Sequence, residues 1–240
     1  MATNIYIDPG HGGTDPGAIS NNAKESAITL VVAKYLQTEL KRQGFSVKMS
    51  RETDTNKSLA TRCSEANKFG ADIVISLHLN AYTDPSANGT ETFVYKKGSN
   101  AEKIANLVQK NLVAALGTKN RGVKEGNLAM VRDTNAPAIL CELGFITNEN
   151  DHIKLVNTVY QKESAIAICK GICTYFGVSY KGEVKVNNDY STHWAKDAIQ
   201  KMVDTKIMIG DGKGKFRPND EITRAEVAQT IANLLKYLGK

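Results

Sequence analysis

At 240 residues the chain is long enough for one large domain or for a medium domain plus a small one. Apolar content of 41% and charged content of 23% are ordinary for a soluble globular protein and supply a sizeable core. The net charge of +6 is spread evenly: residues 179–240 carry 11 basic and 8 acidic side chains, an excess of 3 equal to that of the remainder. Without a run of five or six like charges, this balance argues against a nucleic-acid partner and is compatible with an acidic cell-surface polymer.

After Met1-Ala2-Thr3-Asn4 the chain enters an apolar run directly, with neither the basic segment nor the apolar stretch of a secretory leader. No run of about 18 apolar residues occurs, so membrane insertion is not expected. The reading is a protein made in the cytoplasm without a signal peptide. Cys63, Cys141, Cys169 and Cys173 fall in apolar or helical patterns without a CxxC pair, which fits reduced thiols better than a disulfide framework. Cys169 and Cys173, one helical turn apart, read as small core residues.

In chain order, strands are predicted at Asn4–Asp8, Phe45–Ser50, Asp72–His78, Thr90–Tyr95 and Ala138–Leu143. Helices are predicted at Ala23–Gln43, Ser58–Phe69, Asn100–Leu116 and Asp151–Phe176. In the first helix Ile28, Val31, Val32, Tyr35, Leu36 and Leu40 follow the spacing of a core-facing stripe, and Gly44 stops it. This alternation predicts an α/β domain over residues 1–177, a mostly parallel twisted sheet with helices on both faces. Residues 178–188 are polar and read as a linker. Residues 189–240 read as a small all-α module, helix–loop–helix. Ser191 or Thr192 is expected to cap the first helix, which carries Trp194, Ile199 and Val203. Thr223 opens the second with Glu226 three residues on, a capping box. So small a module buries little surface and needs a neighbour.

Three apolar runs deliver ionisable side chains at their carboxyl ends, the edge where open α/β sheets form sites. Asp8-Pro9-Gly10-His11-Gly12-Gly13 puts His11 on a tight turn. Ile73–Leu77 ends in His78, and Ala138–Cys141 ends in Glu142. Any one of these is more often structural than functional, but two histidines at one sheet edge point to a metallohydrolase, since a catalytic zinc takes about three protein ligands from His and Asp/Glu and keeps a position for water. His152 and His193 lie in polar surroundings and are the weaker ligand candidates. Asp8, Asp15 and Glu25 compete for the third position. Asp8 is expected to brace the turn or the His11 ring, Asp15 lies in a Gly/Pro-rich loop, and Glu25 begins a helix where a carboxylate is favoured in any case. Spacing alone leaves Glu25 and Asp15 open.

Four motifs in order, spanning residues 4–176, resemble the zinc-dependent N-acetylmuramoyl-L-alanine amidases of the amidase-3 type: IDPGHGG with His11; KE with Glu25; LATRCSEANKFGADIVISLHLNA with Arg62, Asn67, His78 and Asn80; and NAPAILCELGFITN with Glu142. The resemblance implies a Zn2+ cofactor held by His11, Glu25 and His78, with Glu142 as the catalytic carboxylate and Asn80 and Arg62 at the substrate. The substrate is then peptidoglycan, cut between N-acetylmuramic acid and L-alanine. THWAKDAIQKMV and IMIGDGKGKFRPNDEITRAEVAQTIANLL, with Thr223-Arg224-Ala225-Glu226, resemble the S-layer homology module. That resemblance implies binding of an anionic secondary cell-wall polymer, with Arg224 and Arg217 as contacts. Such proteins carry three modules and this chain one, which implies a homodimer or homotrimer through the segment. The combination suggests a phage or prophage endolysin of a Gram-positive host, acting on the wall after release. The alternative setting is a mother-cell lytic amidase of a sporulating bacterium. A non-catalytic wall-binding protein on an amidase scaffold is opposed by the intact His11, Glu25, His78 and Glu142. A zinc peptidase cutting stem-peptide bonds is distinguished by the new ends it would release.

Overall fold

The computed structural model describes residues 3–182, 189–212 and 215–238. The chain divides into two compact units, Met1–Lys181 and Gly182–Lys240.

The first unit opens with β1 (Asn4–Pro9), a short hairpin of β2 (Ile19–Ser20) and β3 (Ala23–Lys24), and α1 (Glu25–Arg42). It continues through β4 (Ser46–Met49), α2 (Leu59–Phe69), β5 (Ile73–Asn80), β6 (Thr90–Val94) and α3 (Asn100–Leu116). It closes with β7 (Asn120–Glu125), α4 (Ala129–Arg132), β8 (Ala138–Phe145), α5 (Glu149–Leu155) and α6 (Thr158–Tyr175). Six strands form one sheet in the order β4-β1-β5-β8-β6-β7. β4, β1, β5 and β8 are mutually parallel, whereas β6 runs antiparallel to β8 and parallel to β7. The fold is therefore α/β with a mostly parallel sheet, as expected.

Alternate residues of the central strands face opposite layers. Ile5, Ile7, Ile73, Ile75, Leu77, Ile139 and Cys141 join the larger core under α1, α3 and α6. Tyr6, Val74, Ala138 and Leu140 face a smaller core shared with Cys63 of α2 and Met130 of α4. Burial on both faces explains why these strands read as continuous apolar runs. Of the cysteines, Cys141, Cys169 and Cys173 lie in the larger core and Cys63 in the smaller.

In the first unit the structure corrects the predicted organisation at four points. β7, sequence NRGVKE, is a half-exposed edge strand without apolar alternation and was not predicted. The β2–β3 hairpin is too short to show a period; its turn is made by Asn21 and Asn22, with φ of 44° and 64°, as an asparagine-tolerant two-residue hairpin requires. The predicted helix Asp151–Phe176 is two helices, because Asn157 caps the second, its side chain accepting from Val159 N. Residues 178–181, expected in the linker, pack on the first unit. Val178 and Tyr180 lie against its core, Tyr180 Oη donates to Glu39 at 2.8 Å, and Gln43 Nε2 donates to the Lys181 carbonyl at 2.9 Å. Residues 183–188 of that expected linker lie outside the described residues.

The second unit contains α7 (Lys196–Asp204) and α8 (Arg224–Tyr237). α7 starts later than expected, capped at Ala195 without a side-chain hydrogen bond, so neither Ser191 nor Thr192 caps it. Trp194 precedes the helix and is 91% exposed. The capping box of α8 is formed as predicted, Glu226 N donating to Thr223 Oγ1 and Thr223 N to Glu226 Oε2. Ile199 and Ile207 are buried, but no α8 residue is.

Candidate metal centre and catalytic cleft

β1, β5 and β8 are adjacent and parallel, so their carboxyl ends share one edge. The chain reverses its direction of progress across the sheet between β1 and β5, the position where open α/β sheets collect ligands. His78 faces Glu142 in the β5–β8 register. His11 lies just beyond β1 with φ of 62°, and Gly10 N donates to the Leu77 carbonyl at 3.0 Å. The His78 ring lies flat against Gly10, where a Cβ would stand 2.4 Å from its Cε1. Only glycine fits there.

Two buried arginines hold this turn. Arg51 donates from Nε to the Pro9 carbonyl at 3.0 Å and from Nη2 to the Gly10 carbonyl at 2.9 Å. Arg62 donates from Nη1 to the Pro9 carbonyl at 2.8 Å and from Nη2 to the His11 carbonyl at 2.7 Å. Asp8 balances one of the two charges: Oδ1 accepts from Arg62 at 2.8 Å and Ser50 at 2.7 Å, and Oδ2 from Ser76 at 2.8 Å. Arg62 is 2% exposed, and its guanidinium donates to the turn and to Asp8 at the wall of the cleft. Of the two partners expected for Asp8, the turn and the His11 ring, the structure shows the turn.

The ring partner is Asp15, whose Oδ2 lies 2.8 Å from His11 Nδ1. Glu25 is brought over the sheet edge by the β2–β3 hairpin and by α1, whose first residue it is. Its Oε2 accepts from Ala18 N at 2.9 Å and its Oε1 from Leu79 N at 2.9 Å. Oε1 also lies 2.9 Å from His78 Nδ1 and 3.3 Å from His11 Nε2. One ligand atom from each of His11, Glu25 and His78 lies within 4.8 Å of the others. Two imidazole nitrogens and a carboxylate oxygen converging on one point, with the far nitrogen of His11 fixed by a carboxylate, suit zinc. The residues fit the ion. His152 Nδ1 instead lies 3.2 Å from the Ile146 carbonyl, and His193 Nε2 3.2 Å from Asn219 Oδ1.

The electrostatics divide the two carboxylates. Burial opposes ionisation of Glu25, but its hydrogen bonds to His11 and His78 outweigh that and hold it below the ordinary range. The same Glu25 bond, with help from Asp15, raises His11 to about 9. Burial lowers His78, and the hydrogen bond from Glu25 with the charge of Glu142 overcomes it, leaving a net rise. Glu142 is pushed up to about 7, first by burial and further by the charges of Glu25 and Glu91, against the pull of His78 and His11. Its Oε2 is sealed from solvent with no hydrogen-bond partner among the described residues. A buried, unpartnered carboxylate beside a ligand cluster is a candidate acid/base. A cleft of about 380 Å3 opens on the other side of the cluster, lined by His11, Asp15, Asn56, Leu59, Arg62 and His78 among others. Asn80 does not open onto it freely; its Nδ2 donates to Glu91 Oε1 at 2.7 Å. Sequence reasoning missed Arg51, Asp15 as the His11 partner, and Glu91. An arginine directly after a strand end, Met49-Ser50-Arg51, is the only signal that pointed to the first.

In the second unit, Arg224 is exposed in the first turn of α8. Arg217, with φ of 58°, donates from Nη2 to Glu226 Oε1 at 2.9 Å and borders a pocket of about 300 Å3 with Phe216, Glu226 and Asn233.

Comparison with known proteins agrees with this geometry. Residues 5–174 match the N-acetylmuramoyl-L-alanine amidase family and residues 188–228 the S-layer homology domain. N-acetylmuramoyl-L-alanine amidase LytC of Bacillus subtilis is 38% identical over 174 residues, 72% of this chain but 35% of that protein. The sporulation-specific N-acetylmuramoyl-L-alanine amidase of the same organism is 32% identical over 86% of this chain and 85% of its own length. A crystal structure of N-acetylmuramoyl-L-alanine amidase from Clostridium difficile 630 superposes with a TM-score of 0.71 at 38% identity, covering 73% of this chain and 97% of that one. The chain belongs to the N-acetylmuramoyl-L-alanine amidase family, and its carboxyl-terminal part carries an S-layer homology domain.

The Asp15 contact yields a direct expectation. Asp15→Ala leaves the three ligand atoms in place but frees the His11 ring, so zinc affinity falls roughly 10–100-fold. Titration of the metal-free protein against a chelator of known affinity checks this; an unchanged affinity removes Asp15 from the site.

Proposed function

We propose that the first unit hydrolyses the amide between N-acetylmuramic acid and L-alanine in peptidoglycan, with zinc held by His11, Glu25 and His78 and with Glu142 as general acid and base. The observation that carries this reading is the convergence of those three ligand atoms beside the unpartnered Oε2 of Glu142. A zinc ion there supplies Lewis acidity, which polarises a carbonyl and makes water acidic near neutral pH. Asp15 and the Leu79 and Ala18 amides orient the ligand groups. The cleft beside His11 and His78 admits the lactyl carbonyl. Glu142 Oε2 takes the proton of the attacking water and returns it to the departing alanine nitrogen, its raised proton affinity suiting both transfers.

Two settings are compatible with such an activity. The first is release of a lysin from an infected cell. The second, lysis within a sporulation cycle, is supported by relatives named sporulation-specific and germination-specific amidases, 32% and 34% identical. A solved endolysin catalytic domain is 22% identical and supports the shared fold alone. The S-layer homology domain supports attachment to an anionic secondary wall polymer, with Arg224 and Arg217 as the cations offered. Exposed Ile231, Leu235 and Leu238 on or beside α8 support self-association through this unit to a dimer or trimer, which would raise the number of wall contacts per particle.

Three measurements test these readings. Glu142→Gln should lose roughly 10²–10⁴-fold in turnover and keep its zinc, whereas His11→Ala and His78→Ala lose both; the assay is mass analysis of muropeptides for newly freed alanine amines. Near-normal turnover in Glu142→Gln would overturn the assignment.

At saturating zinc, kcat/KM should fall as pH drops through the Glu142 titration. Burial sets that titration at about 7 and a bound cation draws it lower, so the acidic limb lies between the ordinary carboxylate range and 7. Glu142 must be ionised to accept a proton, hence activity above the limb and loss below it. Persistence of the same limb in Glu142→Gln counts against the role.

A chain ending at Lys181 retains its own core and should be monomeric by light scattering and active on small soluble muropeptides, while the full chain is a dimer or trimer. A monomeric full chain that still pellets with purified walls would sink self-association.

A further inference from the structure

Beyond Glu142 the sheet carries charges that the reaction above does not use. β6 runs antiparallel to β8 with Glu91 directly opposite Glu142, so the two side chains share a face, about 5 Å apart at the backbone. Glu91 is 4% exposed and its carboxylate is fully engaged. Besides Asn80 on Oε1, its Oε2 accepts from Arg121 Nε at 2.7 Å and from Lys124 Nζ at 2.5 Å.

Arg121 and Lys124 stand three apart on β7, a spacing that in a regular strand sends them to opposite faces. The register slips there: Thr90 faces Asn120 but Glu91 faces Gly122. Arg121 is the extra residue of a bulge completed by Gly122, with φ of 81°, and bulges re-aim side chains. Both cations thus reach Glu91 on the face that carries His78 and Glu142. Arg121 is further held with its guanidinium 4.8 Å from the Phe145 ring centroid and Nη1 at 3.4 Å from the Asn88 carbonyl. Its Nη2 makes no hydrogen bond among the described residues.

One buried carboxylate therefore faces two cations whose side chains are 27% and 39% exposed, leaving a net positive charge open to solvent beside the catalytic carboxylate. A guanidinium fixed by a carboxylate and a ring, with a free planar donor, is preorganised for a second carboxylate. We propose that Arg121 and Lys124 form a subsite for a carboxylate of the substrate on the peptide side of the scissile amide. The assignment rests on the amidase reading above. The cations meet at Glu91, one strand spacing of about 4.8 Å beyond Glu142, and an extended peptide advances about 3.3–3.6 Å per residue. The group in reach belongs to the stem residue after L-alanine, where that residue is an acid.

The zinc-loaded full chain is assayed on N-acetylmuramoyl-L-alanyl-D-glutamate and on its amidated D-isoglutamine counterpart, which differ in that carboxylate alone. The wild-type kcat/KM favours the acid by about tenfold, the scale of one charge-assisted contact. In Arg121→Gln and in Lys124→Gln this preference falls towards unity through KM for the acid. Arg121→Lys, which keeps the charge but cannot hold Glu91 and offer a second planar donor at once, retains only a minor part of it, and Lys34→Gln, on the exposed side of α1, leaves it unchanged. Equal rates on the two substrates in the wild type, or a preference untouched in both glutamine variants, overturns the subsite. Failure of the zinc-loaded wild type to cut either substrate overturns the amidase reading instead. Lys124→Gln leaves Glu91 paired with Arg121 and reports even where Arg121→Gln does not fold.

Discussion

Two guanidinium groups buried side by side against the carbonyls of Pro9, Gly10 and His11 are the constraint on which the site depends. Arg51 and Arg62 repel one another, and burial together with that repulsion lowers the proton affinity of Arg51. The arrangement persists because the turn after β1 points three successive carbonyls inward, where each would be costly without a donor. Asp8, buried among Ser50, Ser76 and Arg62, compensates one of the two charges. The clamp fixes His11 in a left-handed conformation that costs on the order of 1 kcal/mol for a residue with a side chain. It also brings the Gly10 backbone against the His78 ring. A metal site needs ligand atoms fixed before the ion arrives, and here the backbone of one strand end is locked by side chains from two neighbouring elements.

From that locked turn the division of labour between two carboxylates follows. Glu25 accepts from two backbone amides and lies between two histidines that hold its proton affinity down, so it stays ionised. Glu142 lies across the strand from His78 with one oxygen unpartnered and with Glu25 and Glu91 as like-charged neighbours. Environments that push two carboxyl groups apart in proton affinity separate a ligand from an acid/base. The same register that sets Glu142 beside His78 sets Glu91 beside Glu142, and the β7 bulge adds Arg121 and Lys124. A single row thus crosses four strands, with two like-charged carboxylates standing between the ligand cluster and the cations of the sheet edge.

What was legible in the sequence is what repeats or is locally encoded. The apolar runs of β1, β5 and β8, the stripe of α1, and the capping box of α8 all announce themselves. So do His11, His78 and Glu142, because an ionisable group closing a buried strand breaks a strong pattern. The third ligand stood open on spacing alone, since the choice between Glu25 and Asp15 depends on a six-residue hairpin that no periodicity reveals. The hold of Arg62 on the turn stayed hidden for a related reason: an arginine on a helix carries no local sign that it reaches the carbonyls of a strand far away in sequence. β7 stayed hidden because an edge strand of polar residues has no alternation to read, and its bulge hid the pairing of Arg121 and Lys124.

The two units match two different families. All the groups assembled around His11, Glu25, His78 and Glu142 come from residues before Lys181, with Tyr180 and Lys181 closing that unit against Glu39 and Gln43. The region matched in LytC is 35% of that protein, whereas in the sporulation-specific relative it is 85%. A catalytic unit found in such different contexts has to carry its own geometry, because no constant neighbour is available to complete it. On the reading proposed above, the S-layer homology part supplies a second attachment point and so raises how often the cleft meets its substrate, while the three ligand atoms and Glu142 are placed by elements of the first unit alone.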